Sequence, residues 1–433
     1  MNIAVKVDAP ETAAAEANAL PLKALNPGNA DRFETGAIWP VFKRLRAEDP
    51  VHFTPESEFG PYWSITKWDD IMAVDTNHEA FSSTGGIVLF NLEAAAERLK
   101  LPGERTKEEQ IEAARRGEGS SFINLDEPHH GPKRKAVSPT LAPANIALMA
   151  PVVRERAGQI LDALPIGETF DWVDRVSKEL TSMTLATMLD FPFEERRKLL
   201  YWTTGDGAEM TPQERLSAGL ERQAVFDELW EKKRNAPPAM DMISMMAHNP
   251  VTRNMSRQEY QGNVVLLIIG GNDTTRNTIS GSVYELNRNP DQYDKLRANP
   301  DLIPSMVSES IRYQTPLAHM ARTALRDTEV GGKLIREGDR VAMWYISGNR
   351  DETKIEYPDA YDIERERPRQ HLSFGFGVHR CVGNRVAEMQ LTIIWEEILK
   401  RFPEVRVAGE HRRSHSSFIH GFETLPVIIP ARA

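Results

Sequence analysis

The chain's one cysteine, Cys381, lies in the run Phe374-Gly-Phe-Gly-Val-His-Arg-Cys-Val-Gly383. Three glycines in ten residues imply a tight loop with unusual backbone angles, and an apolar-rich helical stretch begins directly after it. A thiolate there would face backbone N–H groups and a helix N-terminus, which favour negative charge, and His379 and Arg380 add positive charge beside it. The bland alternative is a buried, inert cysteine; the glycine-rich turn before a helix weighs against it. A second constellation, Gly270-Gly-Asn-Asp-Thr-Thr275, sits inside a long apolar helical stretch. Two consecutive glycines cost roughly 2 kcal/mol against alanine in a helix interior, so something must compensate. A kink, or a helix start capped by Asp273 or Thr274, would account for the acid and the hydroxyl but not for apolar helix on both sides. Third, Glu309 and Arg312 share a helix face at i,i+3; alone, such a pair is commonly a surface ion pair of small value.

The elements that must position these groups are mainly helical, with minor β structure. Apolar spacing predicts a helix at 42–47, short strands at 51–53 and 62–65 around the turn Gly60-Pro61, and a loop at 82–86 leading into the apolar patch Ile87-Val-Leu-Phe90. The highly charged stretch 102–120 reads as a solvated excursion. From 141 to 235 the pattern is helical, broken by Pro237-Pro238. One long helix is expected over 257–289, near 50 Å at 1.5 Å per residue. Another is expected over 301–313, stopping at Pro316. Short strands follow at 322–324, 329–330, 334–335 and 340–344, then irregular coil over 351–372 and a last helix over 383–401. Residues 1–20 read as a loose tail and 21–433 as a single domain.

Composition narrows the classes. The chain has 433 residues, with 53 Lys and Arg against 63 Asp and Glu, a net charge of −10. A bulk electrostatic case for nucleic acid or an anionic membrane is absent. One cysteine rules out an internal disulfide framework and any four-cysteine zinc or iron–sulfur site, and is compatible with a reducing cytoplasm. The longest dense apolar run, at 264–269, has six residues, where a membrane span needs about 20, so no transmembrane anchor is expected.

The run F-x-x-G-x-H-x-C-x-G resembles the haem-binding loop of the cytochrome P-450 family, the haem-thiolate monooxygenases, with Phe374, Gly377, His379, Cys381, Gly383 and Ala387 matching. The resemblance implies an α-rich P-450 fold with haem b between the long central helix and the helix after Cys381. Cys381 would be the thiolate ligand of the haem iron, with Phe374 and Gly375 in the haem loop. Gly270 and Gly271 resemble the family's oxygen-binding groove, which implies that Thr274 hydrogen-bonds the oxygen and Asp273 helps relay protons to it. Glu309, Arg312 and Arg365 are similar to the family's structural Glu–Arg–Arg triad. His130, Arg134, Arg322 and His379 match its basic partners for the haem propionates. The resemblance runs from about 38 to 428.

By the same resemblance the substrate pocket would be lined by Ile87, Val88, Leu89, Phe90, Leu266, Ile269, Leu317, Ala318, Met320, Phe418 and Ile419, with Leu266, Ile269, Leu317 and Ala318 as its narrow part. Most are aliphatic, which implies a hydrocarbon-like ligand. Several stretches, among them Tyr313-Gln-Thr-Pro-Leu-Ala-His-Met320 and Gly85-Gly-Ile-Val-Leu-Phe-Asn91, look like the soluble bacterial alkane and fatty-acid terminal hydroxylases. That implies attack on the end carbon of a medium-chain alkane or fatty acid. No flavin or ferredoxin segment is recognised, so electrons are expected from a ferredoxin and an NAD(P)H-dependent ferredoxin reductase, docking near Lys133, Arg134, Lys135, Arg380 and Arg385. The alternatives are a hydroxylase of cyclic terpenoids or steroids, a peroxide-driven haem-thiolate enzyme and a haem sensor.

Overall fold

The computed structural model describes residues 11–91, 106, 108–109, 112–113, 118, 121–205 and 210–433. The expected charged excursion at 102–120 falls largely outside the described residues. Of the expected loose tail, residues 1–10 lie outside them too, but Glu11–Ala19 is helical. Its small residues Ala13 and Ala17 are buried, and Arg44 Nη1 donates to the carbonyl of Ala17 at 2.7 Å. This segment is therefore docked, which corrects the expectation of a tail over its length.

The long helix is Arg257–Arg288. It starts at a capping box: the Ser256 side chain accepts from the backbone of Glu259 and the Glu259 side chain accepts in return. It ends where Pro290 opens the next helix, Pro290–Ala298. Its two halves enter different parts of the core. Val264, Leu267 and Ile268 pack with Leu185, Leu199 and Phe226 from the helices Glu179–Leu189, Arg197–Thr204 and Pro212–Arg234. Ile279, Val283 and Leu286 pack with Met306 and Ile311 of the helix Ile303–Gln314, and with Leu391, Ile394 and Trp395 of the helix Asn384–Arg401. Between the two apolar halves stands the polar, glycine-containing stretch 270–278.

The helix Ile303–Gln314 ends at Thr315, which takes the left-handed conformation (φ 41°) directly before Pro316. A residue preceding proline is disfavoured in the right-handed helical region, so the stop follows from sequence. After it a five-stranded sheet forms in the order Val51–Thr54, Tyr62–Ile65, Arg340–Met343, Met320–Ala324, Phe81–Ser82. Only the pairing of Tyr62–Ile65 with Arg340–Met343 is parallel among these. The sheet carries Arg322, and its edge strand Phe81–Ser82 feeds the segment 83–91. Residues 351–372 contain turns but no helix or strand, as their charge and proline content imply. Among the described residues no single helix is long and apolar enough to cross a membrane.

Candidate active site

The cysteine loop is built on backbone angles that only glycine adopts freely. Gly375 and Gly377 have φ of 63° and 64°, and a Cβ on Gly377 would stand 2.6 Å from the backbone oxygen of Asp75. The loop closes through the Cys381 N–H, which donates to the carbonyl of Phe374 at 2.8 Å. Cys381 is exposed, and it lines a cavity of about 470 Å³ with Arg369, Arg380, Asn384, Arg385 and Glu388. Burial raises the thiol's pKa, and it is the largest influence there. The N–H groups of Gly383 and Asn384 and the guanidinium groups of Arg134 and Arg380 favour the thiolate. Asn384 opens the helix Asn384–Arg401, so the sulfur sits at a helix N-terminus as the sequence implies.

Asp75, which the motif search passed over, fastens this loop. It ends the helix Trp68–Asp75, and its buried carboxylate accepts from the Phe376 N–H at 2.7 Å, the Tyr345 hydroxyl at 2.9 Å and Arg322 Nη2 at 3.0 Å. Arg322 is thereby held in a buried ion pair with Asp75, and its Nη1 donates to the carbonyl of Ala321 at 2.9 Å. The remaining basic residues converge. The rings of His130 and His379 lie 4.1 Å apart. His379 Nε2 is 3.0 Å from Ser83 Oγ, while its Nδ1 is buried without a hydrogen-bond partner. His130 Nδ1 stands 3.5 Å from Glu127, and its Nε2 is likewise buried without one. Burial, first among the causes, pushes both histidines toward the neutral form. Arg134, half-buried one helical turn after His130, donates to the carbonyl of Arg380.

On the central helix Gly270 is exposed although buried residues flank the stretch, and a Cβ there would meet nothing within 4 Å. A Cβ on Gly271 would meet Leu185 Cδ1 at 3.2 Å. Thr274 Oγ1 donates to the carbonyl of Gly270 at 3.0 Å, so hydroxyl and glycine share one face. Asp273 faces the other way. It is buried, accepts from Asn272 Nδ2 at 2.9 Å and stands 3.3 Å from Arg276 Nη2. Burial raises its pKa, opposed first by the charge of Arg276. Asn272 is oriented in turn by Thr181, whose hydroxyl donates to Asn272 Oδ1 at 2.7 Å. No hydrogen bond joins Asp273 to Thr274 here.

The triad expected from Glu309, Arg312 and Arg365 forms. Arg312 grips Glu309 through Nε and Nη2, both at 2.7 Å, and Arg365 Nε donates to both carboxylate oxygens at 3.0 Å. Both arginines also donate to backbone carbonyls of the coil, Arg312 to Asn349 and Pro358, Arg365 to Glu356 and Tyr357. A buried carboxylate with no exposed surface thus holds together a segment that has no regular structure of its own.

Of the expected pocket residues, the structure brings three segments together. The Ala321 N–H donates to the Ile87 carbonyl at 2.6 Å, the Ala318 N–H donates to the Phe418 carbonyl at 2.9 Å, and Leu317 pairs with Ile419. Ile87, Val88, Phe90, Leu317, Met320, Phe418 and Ile419 are half-buried there. Ala318, expected in the narrow part, instead has no exposed surface, because it packs in the core cluster of Trp344, Ile346 and Leu89; Leu89 is buried with it. Leu266 and Ile269 stand half-buried on the turn before Gly270, Leu266 packing toward the cluster of Leu185 and Phe226. Among the expected docking residues Arg380, Arg385 and Lys135 are exposed, but Lys133 is bonded to Glu259, and Arg369 joins the exposed basic group.

A family model described as Cytochrome P450 matches residues 220–417. A linalool 8-monooxygenase of Pseudomonas putida is 34% identical over 414 residues, 93% of this chain and 98% of that protein. The chain belongs to the cytochrome P450 superfamily. It is a monooxygenase that uses haem with a cysteine thiolate as axial ligand. A methyl-branched lipid omega-hydroxylase of Mycobacterium bovis is 30% identical over 405 residues, covering 89% and 90% of the two chains. The solved structure of cytochrome P450-153 from Novosphingobium aromaticivorans is 41% identical, with a TM-score of 0.82 over 93% of this chain and 98% of that one. The residues of this P450 fit the cofactor. The chain has one cysteine and it is exposed beside the start of a helix, the face of Gly270 is open, and His130 and His379 present buried nitrogens without hydrogen-bond partners.

Proposed function

We propose that this P450 hydroxylates the terminal carbon of medium-chain alkanes or fatty acids, taking electrons from a ferredoxin and an NAD(P)H-dependent ferredoxin reductase. The observation that supports it most is the convergence of Ile87, Val88, Phe90, Leu317, Met320, Phe418 and Ile419, an aliphatic and aromatic set joined by backbone hydrogen bonds. A terminal methyl C–H bond is stronger than its methylene neighbours, so an end-on approach must be enforced by walls. A relative named for omega-hydroxylation of a lipid agrees with this.

In this reading Cys381 would supply the thiolate to the haem iron; burial raises the thiol's pKa, opposed by the N–H groups of Gly383 and Asn384 and by Arg134 and Arg380. His130, Arg134 and His379 would hold the haem propionates, and Arg322 would act from the neighbouring ion pair with Asp75. The bound haem supplies activation of O2 and insertion of one oxygen atom into the C–H bond. Gly270 leaves room for oxygen and substrate against the helix. Thr274 holds its hydroxyl on that face, where it can pass on a proton. Asp273 lies behind it with Arg276 and must turn away from that partner to deliver one. Arg369, Arg380 and Arg385 form an exposed basic group suited to an acidic ferredoxin.

A second reading, hydroxylation of a terpenoid, is favoured by the relative named for linalool. One titration separates them. Haem-loaded protein is titrated with linear fatty acids and alkanes, with linalool and with cyclic terpenoids while the haem Soret band is followed, and products are then analysed. A high-spin shift and terminal alcohols from fatty acids or alkanes support the proposal; a shift with linalool or cyclic terpenoids alone replaces its substrate.

A further inference from the structure

The segment carrying Ile87, Val88 and Phe90 has no regular structure after Phe81–Ser82, so something other than a sheet must fix its position. Two ties come from the backbone and from Arg340. The Ala321 N–H bonds the Ile87 carbonyl, and Arg340 Nη2 donates to the Val88 carbonyl at 2.6 Å with its guanidinium 4.2 Å from the centre of the Phe90 ring. The third tie comes from a side chain that no motif singles out. The Leu89 N–H donates to His319 Nε2 at 3.1 Å, and His319 Nδ1 stands 3.0 Å from the carbonyl of Ser417. The imidazole has no exposed surface and packs against Trp344 at 4.6 Å and Phe418 at 5.6 Å between ring centres.

The partners fix the chemistry of this ring. A carbonyl can only accept, so Nδ1 carries the proton; an amide N–H can only donate, so Nε2 carries a lone pair. Histidine is the one side chain that offers a donor and an acceptor on opposite edges of a flat ring of this size, and here it spans two chain segments 328 positions apart (417 − 89). Both neighbours of the bonded groups are expected pocket residues: Val88 and Phe90 flank Leu89, and Phe418 follows Ser417.

We propose that His319 is a positioning residue for substrate selectivity: as a neutral Nδ1–H imidazole it staples the 87–90 segment to the 417–419 segment, and so sets the separation of two walls of the substrate pocket. This deepens the reading given above and rests on it for the location of the pocket. Leu89 is the anchored residue, pointing into the core beside Ala318 and Trp344. Its neighbours Val88 and Phe90 keep exposed surface while Leu89 is buried. Loss of the Leu89 bond frees a buried N–H and lets that wall relax. Loss of the Ser417 bond has less effect, because the 417–419 segment keeps the Ala318 N–H bond to Phe418 and the pairing of Leu317 with Ile419.

The test uses two variants of the haem-loaded enzyme that each keep one arm. In His319→Gln the side-chain oxygen reaches the Nε2 place and accepts from Leu89. In His319→Asn the amide nitrogen falls at the Nδ1 place and donates to Ser417, leaving the Leu89 N–H unpaired. Dodecanoic acid and octane are the linear probes and a cyclic monoterpene is the control. The product ratio among hydroxylated positions is measured on whichever of these the wild type turns over. The Gln variant is expected to keep that ratio within twofold, and the Asn variant to shift it at least fivefold, with hydrogen exchange of the 85–91 peptide accelerated at least tenfold in the Asn variant alone. An Asn variant with the wild-type ratio, or two variants altered alike, overturns the staple. If the wild type oxidises only the cyclic probe, the linear-chain reading fails while the contrast between the variants still decides the role of His319. Should neither variant fold, nitrogen NMR of the wild-type histidines decides it, since a protonated Nε2 on His319 is incompatible with the proposal.

Discussion

Gly270→Ala should move stability and turnover in opposite directions. The added Cβ at Gly270 meets nothing within 4 Å, so no clash offsets the gain in helix propensity, about 0.8–1.0 kcal/mol. In a chain this long that corresponds to a rise of roughly 1–2 °C in the unfolding midpoint. The same methyl stands on the face that carries the Thr274 hydroxyl, in the space through which oxygen and substrate would approach. A tenfold fall in turnover is the expected scale, equal to about 1.4 kcal/mol of barrier. Gly271→Ala is the internal control. Its Cβ would meet Leu185 Cδ1 at 3.2 Å, so the propensity gain is offset by packing against a helix on the other side, and the cavity is left alone. Thermal unfolding followed by far-ultraviolet circular dichroism, the Soret absorbance per mole of protein and product formation per haem separate the contributions. A Gly270→Ala enzyme with full turnover would show that the open face is not the approach route. A Gly270→Ala protein clearly less stable than wild type would show that the helix at this point is not relieved of its glycine penalty as the geometry requires.

Further outcomes follow from the same geometry. Glu309→Ala leaves Arg312 and Arg365 buried without their carboxylate; a loss of about 3–5 kcal/mol is expected, read as a lower denaturation midpoint and loss of haem, and an unchanged midpoint refutes the triad's role. Asp75→Asn keeps the size of the side chain but removes the charge facing Arg322 and weakens acceptance from Phe376 N–H; faster transfer of haem to an acceptor apoprotein is expected, and a wild-type transfer rate counts against Asp75 as the fastening of the loop. Turnover with ferredoxin should fall as salt rises while ligand titration stays constant, and Arg385→Glu should mimic high salt; equal sensitivity of both assays would discard docking at the basic group. Burial holds the His319 pKa at about 4, with Arg340 the nearby charge that also lowers it, against an ordinary 6.5. Because the folded value is the lower one, this stability is fully present above pH 6.5 and is lost as pH falls toward 4, amounting to ~3 kcal/mol. His319→Gln should therefore flatten the acid side of the stability curve by about one proton between pH 6 and 4, and an unaltered slope would refute the buried neutral imidazole.

What was legible in the sequence is what is local. The cysteine loop announces itself because its glycines, its cysteine and the following helix are consecutive, and the structure needs those glycines at φ near 63° against Asp75. Glu309 and Arg312 are legible for the same reason, one turn apart on one helix. The stop of that helix at Thr315 follows from Pro316 alone. The groups that escaped are those whose partners are distant. Asp75 meets Phe376 across 301 positions and Arg322 across 247. His319 meets Leu89 across 230. Nothing near Asp75 in the chain marks it, and the stretch around His319, although it resembles part of a family, does not show which distant groups its ring meets.

Direction is the other property that spacing does not carry. Asp273 and Thr274 are adjacent, and in a helix adjacent side chains are about 100° apart, so a motif naming both cannot put both on one face. Thr274 keeps the side of the open Gly270 face, while Asp273 takes the side of Asn272 and Arg276, where burial raises its pKa and the guanidinium opposes the rise. Ala318 likewise turns into the core while its neighbour Leu317 and the nearby Met320 retain surface, which the aliphatic character of the stretch does not reveal. If Asp273 supplies protons, the step includes breaking its contact with Arg276, and the arginine then becomes the group that controls the rate of delivery. Arg276→Gln should release that hold. Proton-limited turnover should rise in the variant, or its solvent isotope effect should shrink, while ligand affinity stays constant. An unchanged isotope effect would mean that Asp273 remains in the core throughout and that protons reach Thr274 by another route.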